Sequence, residues 1–131
     1  MGIESFVGCG NLRLDQQLKF VAEIDKMTSV LRRTLVVDGS RRENDAEHSW
    51  HIAVMALLFT EYVKQKPDVG RAVKMLVVHD LIEIYAGDTF AFDVEANKNK
   101  AANEAAAADK LFSQLPPDQG AEIRSLWEEF D

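Results

Sequence analysis

Apolar positions recur with a helical period along most of the chain. The first such stretch covers residues 14 to 27, which predicts an amphipathic helix. Its apolar positions are Leu14, Leu18, Val21 and Met27. Residues 28 to 44 lose this period and are rich in turn-forming residues, so they are expected to form a loop.

A second helix is predicted to begin at residue 44 or 45 and to run to about residue 65. Asn44 or Asp45 can cap its first turn, and the Lys66-Pro67-Asp68 sequence ends it. Its apolar stripe is expected to contain Ile52, Met55 and Phe59, which follow His48 at steps of four, three and four. His48 is therefore predicted to lie on the buried side of this helix.

The rest of the chain predicts three further helices. One is expected from residue 69 to residue 85, ended by Gly87, and a loop follows over residues 88 to 95. An alanine-rich helix over residues 95 to 115 is halted by Pro116-Pro117, and Asp118 starts the last one. Because no alternating strand pattern appears, the expected fold is all-α: a bundle of about five helices, with residues 1–131 forming one domain.

Composition and charge narrow the class of protein. Hydrophobic residues make up 47% of the chain, but the longest apolar run, residues 52 to 59, is far shorter than the roughly 20 residues that span a bilayer. No membrane association is expected. The single cysteine, Cys9, favours a reducing compartment and hence the cytoplasm. The net charge of −7 argues against a nucleic-acid polymer as partner.

Four arginines lie within eleven positions just ahead of His48: Arg32, Arg33, Arg41 and Arg42. One interpretation is a solvated basic loop. The other is a local anion site that suits a small phosphate ester.

The third predicted helix carries three ionisable residues within a run that is otherwise apolar. They are His79, Asp80 and Glu83. A buried carboxylate is normally paired with a cation or bound to a metal. With His48 from the facing helix, His79 and Asp80 would make a mixed nitrogen and oxygen set that suits one Mn, Co, Fe, Zn or Ni ion.

The residues alone leave other interpretations open. His79 and Asp80 could form a surface ion pair, and His48 could be a hydrogen-bonded core residue. His51, one helical step from His48, is a weaker candidate for a metal ligand than His48 and is expected to be a surface residue.

The spacing of these residues resembles the HD-domain metal-dependent phosphohydrolases, and within them the subgroup that includes bacterial 5′-deoxynucleotidases. The segment from Glu43 to Ser49 resembles the first-histidine motif of that subgroup. The segment from His79 to Asp88, which contains Glu83 and Gly87, resembles its second motif. The resemblance covers residues 14 to 131.

This resemblance implies a helical, often dimeric enzyme that releases phosphate from phosphomonoesters such as nucleoside or deoxynucleoside 5′-monophosphates, with a divalent metal ion. His48, His79 and Asp80 would be the metal ligands. Glu83 would serve the attacking water, and Asp88 would contact the sugar or the water network. Arg33 would bind the phosphate, with Arg32 as the alternative.

In one respect the chain departs from the family pattern. The family completes its metal shell with a further aspartate on a helix beyond the one that holds Trp127, and this chain stops at Asp131. The expectation is therefore a truncated form whose parent protein is active. Asp109 superficially resembles the missing ligand but is expected to be a surface residue.

Two rival hypotheses belong to other classes of protein. One is a non-catalytic HD domain that binds a nucleotide or a protein partner as a regulator, and the other is a bundle whose polar cluster is structural. Aromatic residues near the C-terminus suit either a homodimer interface or a core: Phe112, Trp127 and Phe130.

Overall fold

The computed structural model describes residues 10–86 and 99–130. Within these residues there are five α-helices of ten or more residues, one single-turn α-helix, two short 3₁₀ helices (Asp25–Ser29 and Thr60–Tyr62) and one two-stranded sheet. In chain order the elements are α1 (Leu12–Ile24), β1 (Leu31–Leu35), β2 (Arg42–Asn44), α2 (Asp45–Phe59), α3 (Val69–Val78), α4 (Glu83–Ala86), α5 (Lys100–Phe112) and α6 (Pro117–Phe130). The mostly helical architecture confirms the predicted fold class, with a small sheet added.

Polar side chains cap the N-termini of three helices. Asn11 caps α1 by accepting a hydrogen bond from the backbone N–H of Leu14, and Asp68 caps α3 in the same way. Asn44 caps α2 in a capping box, in which Glu47 bonds back to the Asn44 backbone. The predicted cap of α2 is thus confirmed, although α2 ends at Phe59, and a 3₁₀ turn covers residues 60–62.

The segment predicted as a loop before His48 is a hairpin. β1 and β2 pair antiparallel, with Leu31 opposite Asn44 and Leu35 opposite Arg42, and the register shifts between these pairs. Gly39 adopts a φ of 74° in the turn, and Asp38 accepts a hydrogen bond from the backbone N–H of Ser40. Gly39 allows the chain to reverse here, because glycine adopts the left-handed backbone without steric cost.

The third helix is also shorter than predicted. α3 ends at Val78, and residues 79–82 form tighter turns in which backbone N–H groups bond three residues back, before α4 begins at Glu83. Nδ1 of His79 lies 2.6 Å from the carbonyl oxygen of Leu76. A histidine side chain that bonds one of the last carbonyls helps to end a helix, which accounts for the break.

The hydrophobic core lies where α3 and the following turns meet α5 and α6. Its main members are Val78, Leu81, Ile82, Ala108, Leu111, Phe112, Leu126 and Trp127. Pro117 is the first residue of α6, where a missing N–H costs nothing. Because Phe112 and Trp127 are core residues, they cannot supply the predicted dimer interface, and the homodimer itself stays a prediction.

The buried side of α2 differs from the prediction. Its buried residues are Asp45, Ser49 and Ala53, whereas Met55 and Phe59 are exposed. The second half of α2 is apolar around most of its circumference, so the apolar period could not identify the buried face. None of the helices in the described residues is both long enough and apolar enough to span a membrane.

Candidate metal centre

The three predicted metal ligands lie together where α2 packs on α3. His48 is in the first turns of α2, and His79 and Asp80 directly follow α3. The two imidazole rings are 6.0 Å apart between centroids, and one ligand atom from each of the three residues lies within 4.8 Å of the others. The chain therefore places two imidazole nitrogens and one carboxylate oxygen around a common point.

The hydrogen bonds of His79 determine which of its nitrogens faces that point. Nδ1 donates to the carbonyl oxygen of Leu76, so in a neutral ring Nε2 carries a lone pair. That Nε2 lies 3.0 Å from Oδ2 of Asp80, which is also an acceptor. Two facing acceptors need a proton or a cation between or beside them. Burial lowers the pKa of His79, but the hydrogen bond and the charge of Asp80 have a larger combined effect, so the pKa is raised.

His48 is oriented by a residue that the sequence analysis did not single out. Glu43, in β2, places Oε1 2.8 Å from Nδ1 of His48. The Nε2 atom of His48 is then left for a ligand, which is the arrangement by which outer carboxylates orient metal-binding histidines. Glu43 begins the segment that resembles the first-histidine motif, but neither that motif nor the spacing of five residues identifies the contact with His48.

Arg32, which is partly exposed, pairs with the fully buried Asp45 beside the ligands. Nη1 of Arg32 donates to Oδ1 of Asp45 at 3.1 Å and to Oδ2 of Asp80 at 2.9 Å. Asp45 is completely buried. Burial opposes the ionisation of Asp80, but the hydrogen bond and charge of His79, together with Arg32, lower the pKa of the Asp80 carboxyl.

Glu83 completes the polar cluster. Its ligand-capable oxygen lies within 4.8 Å of those of Asp45 and Asp80. Burial, a hydrogen bond with Asp45 and the charge of Asp80 raise the pKa of Glu83 to about 10. Oε2 of Glu83 and Oδ2 of Asp45 are buried acceptors with no hydrogen-bond partner among the described residues when both groups are ionised. A proton kept on Glu83 allows the two groups to bond to each other.

These donors fit a divalent transition-metal ion. Metal–ligand distances near 2.1 Å separate neighbouring ligand atoms by roughly 3 to 3.5 Å, so atoms that already lie within 4.8 Å need only a small inward shift. Imidazole nitrogen combined with carboxylate oxygen suits Mn, Co, Fe, Zn or Ni. The two facing acceptors of His79 and Asp80 and the orphaned oxygens nearby are the features that such a cation would stabilise.

The remaining candidate residues lie apart from this cluster or outside the described residues. His51 is exposed and stacks on Trp50, and Asp109 is an exposed residue paired with Arg124; both confirm the expected surface positions. Arg33 is exposed on β1, and Arg32 is the arginine with a hydrogen bond to a predicted ligand, Asp80. Asp88 lies outside the described residues.

An aromatic residue covers one side of the centre. Phe130, near the end of α6, packs its ring 4.6 Å from the ring of His79. It is one of the three aromatic residues considered above for a core or an interface, and it is half-exposed. This contact ties the last helix to the site.

Comparison with known proteins identifies relatives of the chain. Residues 24–131 match the family model described as HD domain. The chain is 36% identical over 89 residues to the 5′-deoxynucleotidase HDDC2 of Xenopus laevis, covering 68% of this chain and 43% of that protein. It is 28% identical over 129 residues to the human 5′-deoxynucleotidase HDDC2, covering 97% and 60%.

A solved structure is also similar. The crystal structure of a predicted metal-dependent phosphohydrolase from Magnetospirillum magnetotacticum MS-1 matches with a TM-score of 0.82 at 52% identity, over 92% of this chain and 61% of that one. The matched regions therefore cover about two-fifths to three-fifths of the length of these relatives. Because the HD model matches most of its length, and the fold and ligand geometry agree with that match, the chain belongs to the HD-domain family.

Proposed function

We propose that this chain carries the catalytic centre of a metal-dependent phosphohydrolase that releases phosphate from nucleoside or deoxynucleoside 5′-monophosphates. The observation that carries the proposal is the convergence of His48, His79 and Asp80 on one point, with the carboxyl group of Glu83 beside them. The relatives named 5′-deoxynucleotidase support the substrate class.

We propose one divalent transition-metal ion, Mn, Co, Fe, Zn or Ni, held by His48, His79 and Asp80. Such an ion lowers the pKa of water and offsets the charge of phosphoryl oxygens. The two histidines are oriented for this task through their Nδ1 atoms, by Glu43 and by the carbonyl oxygen of Leu76. The protein thereby fixes the ligand directions before any ion binds.

Glu83 is the proposed proton carrier. Its buried oxygen faces the same cluster and holds a proton when no cation is present, because its pKa is raised to about 10. A positive charge close to a carboxyl group lowers its pKa, so Glu83 in the loaded site can exchange a proton with the attacking water. Asp88 is proposed to contact the sugar or the water network.

An arginine of β1 is proposed to bind the phosphate. Arg33 is the residue predicted by its spacing from His48, and Arg32 is the alternative. The position of Arg32 against Asp80 favours the alternative, since a phosphate at the metal would lie within reach of its guanidinium. Comparing Arg32→Gln with Arg33→Gln separates them, because the phosphate-binding arginine is the one whose loss raises KM.

The further proposals concern setting and partners. A small phosphate ester, rather than a nucleic-acid polymer, suits the net charge of −7. A cytoplasmic location is proposed from the lone cysteine. A homodimer is proposed from the family resemblance, and sedimentation of the purified protein tests it.

The test of the proposed function is phosphate release from a panel of nucleoside and deoxynucleoside monophosphates with added Mn²⁺ or Co²⁺. We expect release that stops with a chelator and returns with the ion. His79→Ala removes a ligand and Glu83→Gln removes the proton carrier, so both are expected to abolish release. His51→Ala is the matched control, since His51 lies one helical step from His48 but outside the cluster.

The outcome also discriminates between the classes of protein. Metal binding without release from any substrate would replace the enzyme by an HD domain that binds a nucleotide or a partner. Equal release by His79→Ala and the unchanged protein would contradict the metal centre itself. Elemental analysis of each purified variant, with folding checked by circular dichroism, accompanies the assay.

A further inference from the structure

Asp45 is a completely buried acid for which the proposed reaction has no role. It is the first residue of α2, and its carboxylate groups with those of Asp80 and Glu83, not with the two histidines. Burying a carboxylate is costly unless its charge is compensated. Its compensating partner is Arg32, whose Nη1 donates to Oδ1 of Asp45 at 3.1 Å.

The same nitrogen of Arg32 also donates to a proposed metal ligand. Nη1 lies 2.9 Å from Oδ2 of Asp80, so one guanidinium is shared between two carboxylates. A cation bound to Asp80 competes with a metal ion for the charge of that oxygen. The competition is strong in this cluster, because charges interact more strongly in a buried site than in water.

Asp45 limits this competition. Apart from Asp45 and Asp80, the carboxylate nearest to Arg32 among the described contacts is Glu43, at 3.9 Å from Nε. Without the charge of Asp45, the guanidinium would therefore pair mainly with Asp80. Nε of Arg32 is buried without a hydrogen-bond partner among the described residues, so the bonds of the guanidinium to Asp45 and to Asp80 both come from Nη1.

We infer that Asp45 is a positioning residue that holds the guanidinium of Arg32 and thereby leaves the Asp80 carboxylate available to a divalent ion. The inference rests on the metal centre of the proposed function. It adds a residue outside the proposed ligand set of His48, His79 and Asp80, whose effect on the ion passes through Arg32.

The experiment measures Mn²⁺ affinity by calorimetry and the visible absorption of the Co²⁺ form, which reports coordination without any turnover. Asp45→Asn keeps the shape of the side chain and removes its charge. We expect a loss of affinity of roughly 10- to 100-fold, the range for changes of groups around metal ligands. Glu47→Gln is the matched control, because Glu47 is an acid of the same helical turn whose partner, Arg41, is exposed.

A double-mutant cycle isolates the path through Arg32. In Arg32→Gln the competing charge is gone, so Mn²⁺ affinity is expected to equal or exceed that of the unchanged protein. Adding Asp45→Asn to Arg32→Gln should then cost little, giving strong non-additivity. The same loss in both backgrounds would overturn the inference, because Asp45 would then act independently of Arg32.

Other outcomes are equally decisive. If Asp45→Asn does not fold, a clear loss of affinity in Arg32→Gln alone overturns the inference. Absence of Mn²⁺ and Co²⁺ binding by the unchanged protein would overturn the metal centre and this inference with it. Metal binding with the expected pattern but no phosphate release would overturn only the proposed activity.

Discussion

Leu111 and Asp45 are the largest fully buried side chains among residues 10–86 and 99–130, and their surroundings are opposite. Leu111, in α5, lies in the apolar core with Phe112, Leu126 and Trp127. Asp45, at the start of α2, lies among ionisable groups, with Arg32 as its cation. Equal burial therefore marks two different kinds of region.

The difference shows what each region does for the molecule. Burial of Leu111 is favourable by itself, since it removes apolar surface from water. Burial of Asp45 is unfavourable by itself, and a buried ion pair seldom adds stability beyond what apolar residues would give. A polar cluster that is kept despite this cost is better explained by a functional site. Changes around Leu111 should affect stability, and changes around Asp45 should affect binding.

The largest effect that tests this separation is expected from Leu111→Ala. Removing most of a fully buried leucine leaves a cavity, which should lower the free energy of unfolding by about 2–5 kcal/mol. Urea unfolding measures this loss. Mn²⁺ affinity of the folded variant should stay unchanged, because Leu111 belongs to the apolar core and the proposed ligands do not.

The same substitution at an exposed position is the control. Leu58, on α2, is 60% exposed, and Leu58→Ala should change the free energy of unfolding by no more than about 0.5 kcal/mol. The separation between the two regions fails if Leu111→Ala weakens Mn²⁺ binding as much as it weakens the fold.

Glu43→Gln is expected to have a smaller effect, and to lower Mn²⁺ affinity while leaving stability almost unchanged. The carboxylate of Glu43 bonds to Nδ1 of His48, and its charge makes Nε2 a better ligand. We expect Mn²⁺ affinity to fall roughly 10- to 100-fold, equivalent to about 1.4–2.7 kcal/mol, with little change in the urea midpoint. Calorimetric titration with Mn²⁺ measures the affinity.

Glu47→Gln again provides the comparison, since Glu47 is close in sequence but bonds to Arg41 rather than to a histidine. Unchanged affinity in Glu43→Gln would show that His48 does not depend on its carboxylate partner. A large loss of stability with unchanged affinity would assign Glu43 to the fold instead.

The sequence predicted correctly the helix boundaries that are marked by a nearby proline pair or capping residue. The pair Pro116-Pro117 separates α5 from α6 as expected, and Asn44 caps α2 as expected. The motif strings predicted the residues His48, His79 and Asp80, and the fold brings them together. In these cases a short stretch of sequence contains the physical cause of the structure.

Other features depend on contacts that no short stretch contains. The break after Val78 arises from a side-chain bond of His79 in a run that otherwise suits a helix. The hairpin of β1 and β2 lacks an alternating pattern, because it covers the site with charged residues such as Arg32 and Glu43. The prediction of which face of α2 is buried was wrong, because the second half of the helix is apolar on several sides.

The contacts around the ligands could not be predicted for the same reason. Asp45 looked like a helix-capping residue, and its burial becomes evident only when Arg32 of β1 is seen beside it. Glu43 becomes significant only through its bond to His48. Such neighbours of metal ligands come from different elements, so their roles depend on the assembled fold.

The smallest expected effect concerns a second arginine–aspartate pair, which contrasts with Arg32 and Asp45 because it is exposed. Arg13 of α1 and Asp118 of α6 form two hydrogen bonds of 2.8 and 2.9 Å. The hydrogen bond from Arg13 lowers the pKa of Asp118 from 3.8 to about 2. Since the folded pKa is below the ordinary value, the stabilising contribution is present above pH 3.8 and is lost as the pH falls towards 2.

Water and salt screen an exposed pair, so its contribution should be small and should shrink further in high salt. We therefore expect Asp118→Asn to lower the urea midpoint slightly near pH 5 and to match the unchanged protein near pH 2. Arg13→Gln should reproduce that difference, because the effect requires both partners. A difference near pH 5 in Asp118→Asn but not in Arg13→Gln would mean that Asp118 acts through the N-terminus of α6 and not through Arg13. A difference that persists at low pH would mean that the charge of Asp118 is not its cause. In either case the pair Arg13–Asp118 could not be used as the exposed counterpart of Arg32 and Asp45.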